Sequence, residues 1–295
     1  MDDSHSHLVN CIQTACLLEA TARKAGNVHP GASFDDLHYE DFVDAARIIA
    51  PILADASQRS VGQVILDAIV ATNRHVGSNA NLGIVLLIAP LAAVPMSVPL
   101  DVGIFDLLNR LTVDDARLVY EAIRLANPGG MGAADEADIH QVPTITLKAA
   151  MELAADRDSI ARQYANDFED VLRNGLKDLF YAWYENSQTG RPNRVWEQAV
   201  VELQLKLLAR IPDSLITRKC GSVVSADASM RAKYVLSKPA GEERQDAYRW
   251  FDQWLRADSN RRNPGTTADL IAAILFAALR DRWIEPPCCP FPKPT

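Results

Sequence analysis

Residues 24–41 hold Lys24, Gly26, Asn27, His29, Gly31, Asp35, Asp36 and Asp41 in a stretch too broken for one helix. Glycines let a backbone come close to a ligand. Lys24, with Asn27, His29 and Gly31, has the chemistry to hold a phosphate, and the hard oxygens of Asp35 and Asp36 suit Mg²⁺. The plainer reading is a turn followed by helix-start acids that complement the helix dipole. A second candidate is 77–83, Gly-Ser-Asn-Ala-Asn-Leu-Gly, directly before an apolar run. There Asn79 or Asn81 either caps that helix or, with its free amides, orients a ribose or a base.

A third candidate is Arg261-Arg262-Asn263-Pro264-Gly265-Thr266-Thr267-Ala268-Asp269. Thr266 and Asp269 stand at the spacing of a capping box. The functional alternative is an anion site made by the amides of Gly265, Thr266 and Thr267 with the flanking guanidinium groups. Asp213 and Arg218 read as a cap and a charge pair, and Asp158 with Arg162 as an i,i+4 ion pair. No phosphate-binding GxxxxGK[ST], GxSxG, HExxH or GxGxxG motif is present. The histidines at 5, 7, 38, 75 and 140 lack metal-ligand spacing, as do the five cysteines. Two of these, Cys288 and Cys289, sit in a proline-rich end segment.

The elements that must position these loops are helical. The chain has 295 residues, 48% apolar and 23% charged, with 42 alanines against 14 glycines and 16 prolines. Alanine is the best helix former, so the composition predicts an all-α fold. We expect a single compact multi-helix domain over 1–285 and a Pro/Cys-rich tail over 286–295. Apolar residues at three- and four-residue intervals predict helices near 8–22, 39–55, 61–75 and 82–94. Further helices are expected from 112 to about 126, to about 155, over 157–185, and near 194–210, 227–238, 243–257 and 266–283. Pro51 predicts a kink or early end. The best strand candidate is the short run 221–225.

The net charge of −8 argues against a nucleic-acid polymer as partner, because that binding needs clustered cations. The start of the chain lacks a secretory pattern, and the apolar run 82–94 is too short to span a bilayer. Reduced thiols in the cytoplasm, no membrane partner, and a homo-oligomer as an allowed state complete these expectations.

Four segments in this order resemble the triphosphoribosyl-dephospho-CoA synthase family: Lys24-Ala25-Gly26 with Gly31-Ala32 and Asp35; Asn79-Ala80-Asn81-Leu82-Gly83; Asp213 to Gly221 with Arg218; and Pro264-Gly265-Thr266-Thr267-Ala268-Asp269-Leu270. The resemblance covers nearly the whole chain. It departs at 79–83, where better-known members read Asn-Thr-His-Lys-Gly. The resemblance implies an enzyme that breaks the adenine–ribose bond of ATP and moves triphosphoribosyl to the 2′-hydroxyl of dephospho-CoA. On this reading Asp35, Asp36 and Asp269 serve Mg²⁺ or the cationic ribose. Lys24, Arg218, Gly265, Thr266 and Thr267 hold phosphates, and Asn79 and Asn81 orient ribose or base. Two alternatives stay open: a related glycosyl or phosphoribosyl transferase serving another cofactor, such as a one-carbon carrier, and a non-catalytic nucleotide-binding protein.

Overall fold

The helix-forming composition is realised throughout the computed structural model, which describes residues 3–76, 81–127, 141–187 and 195–287. Among these residues there are fourteen α-helices and no strand, only an isolated bridge between His29 and Ala32. The first half runs α1 (Asp3–Thr21), α2 (Tyr39–Ala54), α3 (Val61–His75), α4 (Leu82–Ala93), α5 (Leu100–Asn109) and α6 (Val113–Ala126). The second runs α7 (Leu147–Ala154), α8 (Ser159–Ala165), α9 (Leu176–Ser187), α10 (Val195–Arg210), α11 (Ser214–Cys220), α12 (Ser222–Ser237), α13 (Glu242–Arg256) and α14 (Gly265–Arg280). No helix among the described residues is long and apolar enough to cross a membrane. The expected Asn79 contact, His140 and the Cys288/Cys289 tail lie outside the described residues.

Two helices form the centre. Every residue of α4 is buried, and so is all of α14 from Leu270 onward. A helix that is apolar on all sides must be surrounded by others, and α1, α2, α3, α10 and the segment after α8 pack around these two. Their apolar side chains form one large cluster. A second, smaller cluster joins Leu205, Leu208, Ile216, Ala228, Ala232, Val235, Ala247, Phe251 and Leu255, from α10 to α13, with Ala25. The chain crosses from the first cluster at Ala22 to the second at Ala25, so Lys24 stands on the seam.

Most expected helices appear close to their expected bounds, and two local readings are corrected. The helix expected over 157–185 is interrupted. It breaks after Ala165, passes through left-handed Asp167 (φ 53°) and Phe168 (φ 60°), and resumes as a π-helical turn, Asp170–Gly175, leading into α9. The break lets Phe168 turn inward beside Tyr164, both fully buried, while the Tyr164 hydroxyl donates to Leu86 O at 2.6 Å. The Asp170 carboxylate gathers Arg162, Gln163 and Asn166 and satisfies the interrupted turn. The strand candidate 221–225 is the start of α12 instead: Gly221, at φ 89°, separates two helices. Pro51 sits near the end of α2, which stops three residues later at Ala54. Helix α6, expected from 112, opens on a capping box between Thr112 and Asp115.

Candidate active site

Asp213 is the joint that fixes the site. It is the N-cap of α11, and its Oδ1 accepts from Leu215 N (2.9 Å) and Ile216 N (3.0 Å). Its Oδ2 accepts from Thr267 N (2.7 Å) and Thr267 Oγ1 (2.8 Å) at the start of α14. One carboxylate thus satisfies orphan amides of two helices, the sort of terminal donors every helix leaves open. Ser214 Oγ donates to Thr266 Oγ1 (3.0 Å), tightening the same joint. The start of α8 joins through Asp158. Its Oδ1 caps Ile160 N and Ala161 N, and its Oδ2 accepts from Arg218 Nη1 at 2.6 Å.

These contacts correct several expectations. Thr266 and Asp269 form no capping box, because the cap position of α14 is Pro264 and the capping carboxylate comes from Asp213. Two of the three amides expected to hold phosphate are already engaged, Thr267 N by Asp213 and Gly265 N by Asn263 O at 3.0 Å. Arg218 pairs with Asp158 and not with Asp213, and Arg162 pairs with Asp170 and not with Asp158. The Arg218 Nε–H, shielded from water, has no partner among the described residues.

The 22–32 segment forms the second wall. Gly26 takes φ 72°, and a Cβ there would stand 2.7 Å from Leu255 Cβ, so both conformation and space require glycine. Gln204 of α10 clamps the turn through Ala25 N (2.9 Å), Ala25 O (2.8 Å) and Asn27 Oδ1 (2.8 Å). From α13, Asp252 accepts from Gly26 N (2.7 Å) and Arg256 donates to Asn27 O (2.7 Å). Asn27 also donates to Pro264 O at 3.5 Å and so ties the turn to the entrance of α14. Lys24 is fully buried, and its ammonium meets Glu19 at 2.9 Å. This corrects its expected role: the charge is neutralised inside the protein and does not face a phosphate. His29 folds back, its Nδ1 accepting from Gly31 N at 3.1 Å. Burial, then Arg256 and Lys24, lower the imidazole to about 4, so at neutral pH it is uncharged and carries its proton on Nε2.

Asp269 stands on the first turns of α14, partly exposed, with no hydrogen bond or ion pair among the described residues. A Cβ at Gly83, on the first turn of α4, would stand 2.1 Å from its Oδ2. The expected 79–83 and 264–270 motifs therefore meet at this point. Asn81, the cap residue of α4, is buried and donates to Thr72 Oγ1 at 3.1 Å, a structural contact in place of the expected ribose contact. Desolvation first, then the neighbouring Glu19, Asp213 and Asp158, hold the Asp269 carboxyl well above the usual carboxylate range, against the pull of Arg218.

The expected metal set is not assembled. Asp35 and Asp36 lie exposed on a turn closed by Phe34 N to Leu37 O at 2.9 Å. Among the described residues no group of three or more His, Cys, Asp or Glu side chains is placed to hold a metal ion. Asp35 and Asp36 thus have no third such ligand beside them among the described residues. Sequence reasoning missed Glu19 altogether. Its signal was a lone acid inside the buried run Ala15–Thr21 of α1, where a charge needs a partner.

In this all-helical domain, carboxylates and capped helix starts converge on one partly open carboxyl group. The chain belongs to the ATP:dephospho-CoA triphosphoribosyl transferase (CitG) family, whose model matches residues 5–287. It is also similar to the crystal structure of a candidate triphosphoribosyl-dephospho-CoA synthase from Archaeoglobus fulgidus. The identity is 26% and the TM-score 0.63, over 82% of this chain and 100% of that one. No curated protein matches the sequence. The family assignment makes this chain a transferase and disfavours the non-catalytic alternative.

Proposed function

We propose that the chain transfers the triphosphoribosyl group of ATP to the 2′-hydroxyl of dephospho-CoA, with release of adenine. The observation that carries this reading is Asp269, a partly exposed carboxyl group without a partner among the described residues, where the two central buried helices begin. Breaking an N-glycosidic bond builds positive charge on the ribose C1′. Asp158, Asp213 and Glu19 around Asp269 would supply negative potential to a ribose bound beside it, the same logic as in glycoside hydrolysis. Lys24 and Arg218 keep part of that potential balanced in the resting protein.

The triphosphate is read as MgATP, with the metal carried on phosphate oxygens as part of the substrate, the usual habit of Mg²⁺. The unpartnered Nε–H of Arg218 supports a phosphate contact at that residue. The free thiols Cys11, Cys16 and Cys220 support a reducing compartment such as the cytoplasm. The test is incubation of purified protein with ATP, Mg²⁺ and dephospho-CoA, with adenine followed by chromatography. Adenine release that depends on dephospho-CoA supports the reading, and no release removes it. Asp35→Asn, which changes an exposed turn, is expected to retain activity, whereas Asp269→Asn is expected to lose it.

A further inference from the structure

We propose that Asp269 delivers a proton to the departing purine, so that adenine leaves as a neutral base. The proposal rests on the transferase reading above and assigns Asp269 a different task from metal binding or charge stabilisation.

The distribution of donors carries the argument. Four carboxyl groups gather at the start of α14, and among the described residues two cations, Lys24 and Arg218, are paired with them. Asp213 accepts four hydrogen bonds, all at 3.0 Å or less. Asp158 accepts from two amides and from Arg218. Glu19 holds Lys24. Asp269 accepts nothing among the described residues, although it faces the other three acids. Donors stabilise a carboxylate and like charges destabilise it, so when neighbouring acids cannot all ionise, the one without donors keeps its proton. The ionisable groups around it are Glu19 and Cys16 from α1, Asp158 before α8, and Asp213 and Arg218 around α11. The raised pKa of Asp269, which favours the protonated carboxyl group, agrees with this count.

Access separates Asp269 from its neighbours. Glu19 and Asp213 are buried, whereas Asp269 keeps part of its surface open. Gly83 contributes no side chain on the face where Oδ2 lies, and any Cβ there would collide with it. A protonated carboxyl group at an opening is a donor for an incoming ligand.

The chemistry needs such a donor. The C1′–N9 bond breaks with its electron pair going to the purine, and an unprotonated purine is a poor leaving group. In the proposed step the Asp269 O–H proton passes to a ring nitrogen of the purine as that bond breaks. The acceptor hydroxyl oxygen bonds to C1′ and its proton passes to water. Water then returns one proton to the Asp269 carboxylate, which closes the balance.

The test compares two donors of the same triphosphoribosyl group. One is ATP. The other is a ribose 5′-triphosphate with 4-nitrophenolate at C1′, which departs without protonation. Each is supplied with Mg²⁺ and dephospho-CoA. Asp269→Asn is expected to lose about 10²-fold or more in kcat with ATP, the range of general-acid catalysis. With the nitrophenyl donor it is expected to lose less than about tenfold. The wild type is expected to lose activity on ATP as pH rises, and to lack that limb on the nitrophenyl donor. This second comparison needs no variant and stands if Asp269→Asn does not fold. Equal losses of the variant on both donors, or the same alkaline limb for both, overturn the proposal. A wild type that releases nitrophenolate but no adenine also overturns it. Release of neither by the wild type is a separate failure, that of the transferase reading, and takes the proposal with it.

Discussion

Lys24 and Glu19 show how far a residue's type can mislead about its task. A lysine beside two glycines suggests a phosphate ligand, yet its ammonium is sealed under the site against a buried glutamate. Two charges removed from water tolerate each other only as a pair. Lys24→Met is therefore expected to lower unfolding free energy by about 3–5 kcal/mol, because Glu19 would be left charged and alone. Adding Glu19→Leu should recover most of that loss, and denaturant unfolding of the single and double variants checks both outcomes. His29 gives a pH prediction with a definite sign. Its folded ionisation is lowered from 6.5 to about 4, so between those values the unfolded chain binds the extra proton. Stability from this residue is complete above about pH 6.5 and is lost as pH falls towards 4. His29→Gln should flatten that part of a stability–pH curve, and an unchanged slope would contradict the assignment.

The elements were legible where packing follows period, and illegible where one long-range contact overrides it. The spacing of apolar residues gave α3 and α4 nearly to the residue and α1 and α14 to within five residues at each end, because each buries a face or all of itself in one core. The interruption after Ala165 left no mark in the periodicity, since Ile160, Tyr164, Phe168 and Val171 still fit a helical stripe. At the break Asp170 gathers side chains from one to two turns earlier and Phe168 is buried in the large apolar cluster, a packing set by other elements. The capping of α14 was hidden for the same reason. Thr266 and Asp269 have the spacing of a box, but the carboxylate that caps the helix lies 54 residues earlier, at Asp213. Asp213→Ala should cost about 1–3 kcal/mol for each helix start left with unpaired amides, read from thermal unfolding. Gly83→Ala tests the junction of α4 and α14. A Cβ at that position displaces the Asp269 carboxyl group, so activity should fall at least about tenfold while the helical circular dichroism is retained. Full activity in Gly83→Ala would mean that the position of Asp269 does not matter.

Across the whole molecule, a chain of net charge −8 has to accept an anionic substrate. On the proposed reading this happens at the seam between the two apolar clusters, where the starts of α8, α11 and α14 meet the Asp269 carboxyl group. Half of the site was readable from motif order. The 213–221 and 264–270 segments do come together, and 79–83 reaches them through Gly83. The other half, Glu19, Gln204, Asp252 and Arg256, sits on helix faces whose residue types are ordinary, and only the fold makes them neighbours of the 22–32 turn. Binding at this seam should stabilise the whole chain, by about 2.7 kcal/mol at a MgATP concentration a hundredfold above its Kd, and the Tm should rise with MgATP accordingly. The most direct measurement is the product balance of the purified protein with MgATP and dephospho-CoA. One adenine released for each dephospho-CoA consumed, with a product heavier by one triphosphoribosyl group and no ADP, is the predicted result. Formation of ADP or AMP in place of adenine, or adenine release indifferent to dephospho-CoA, would contradict it.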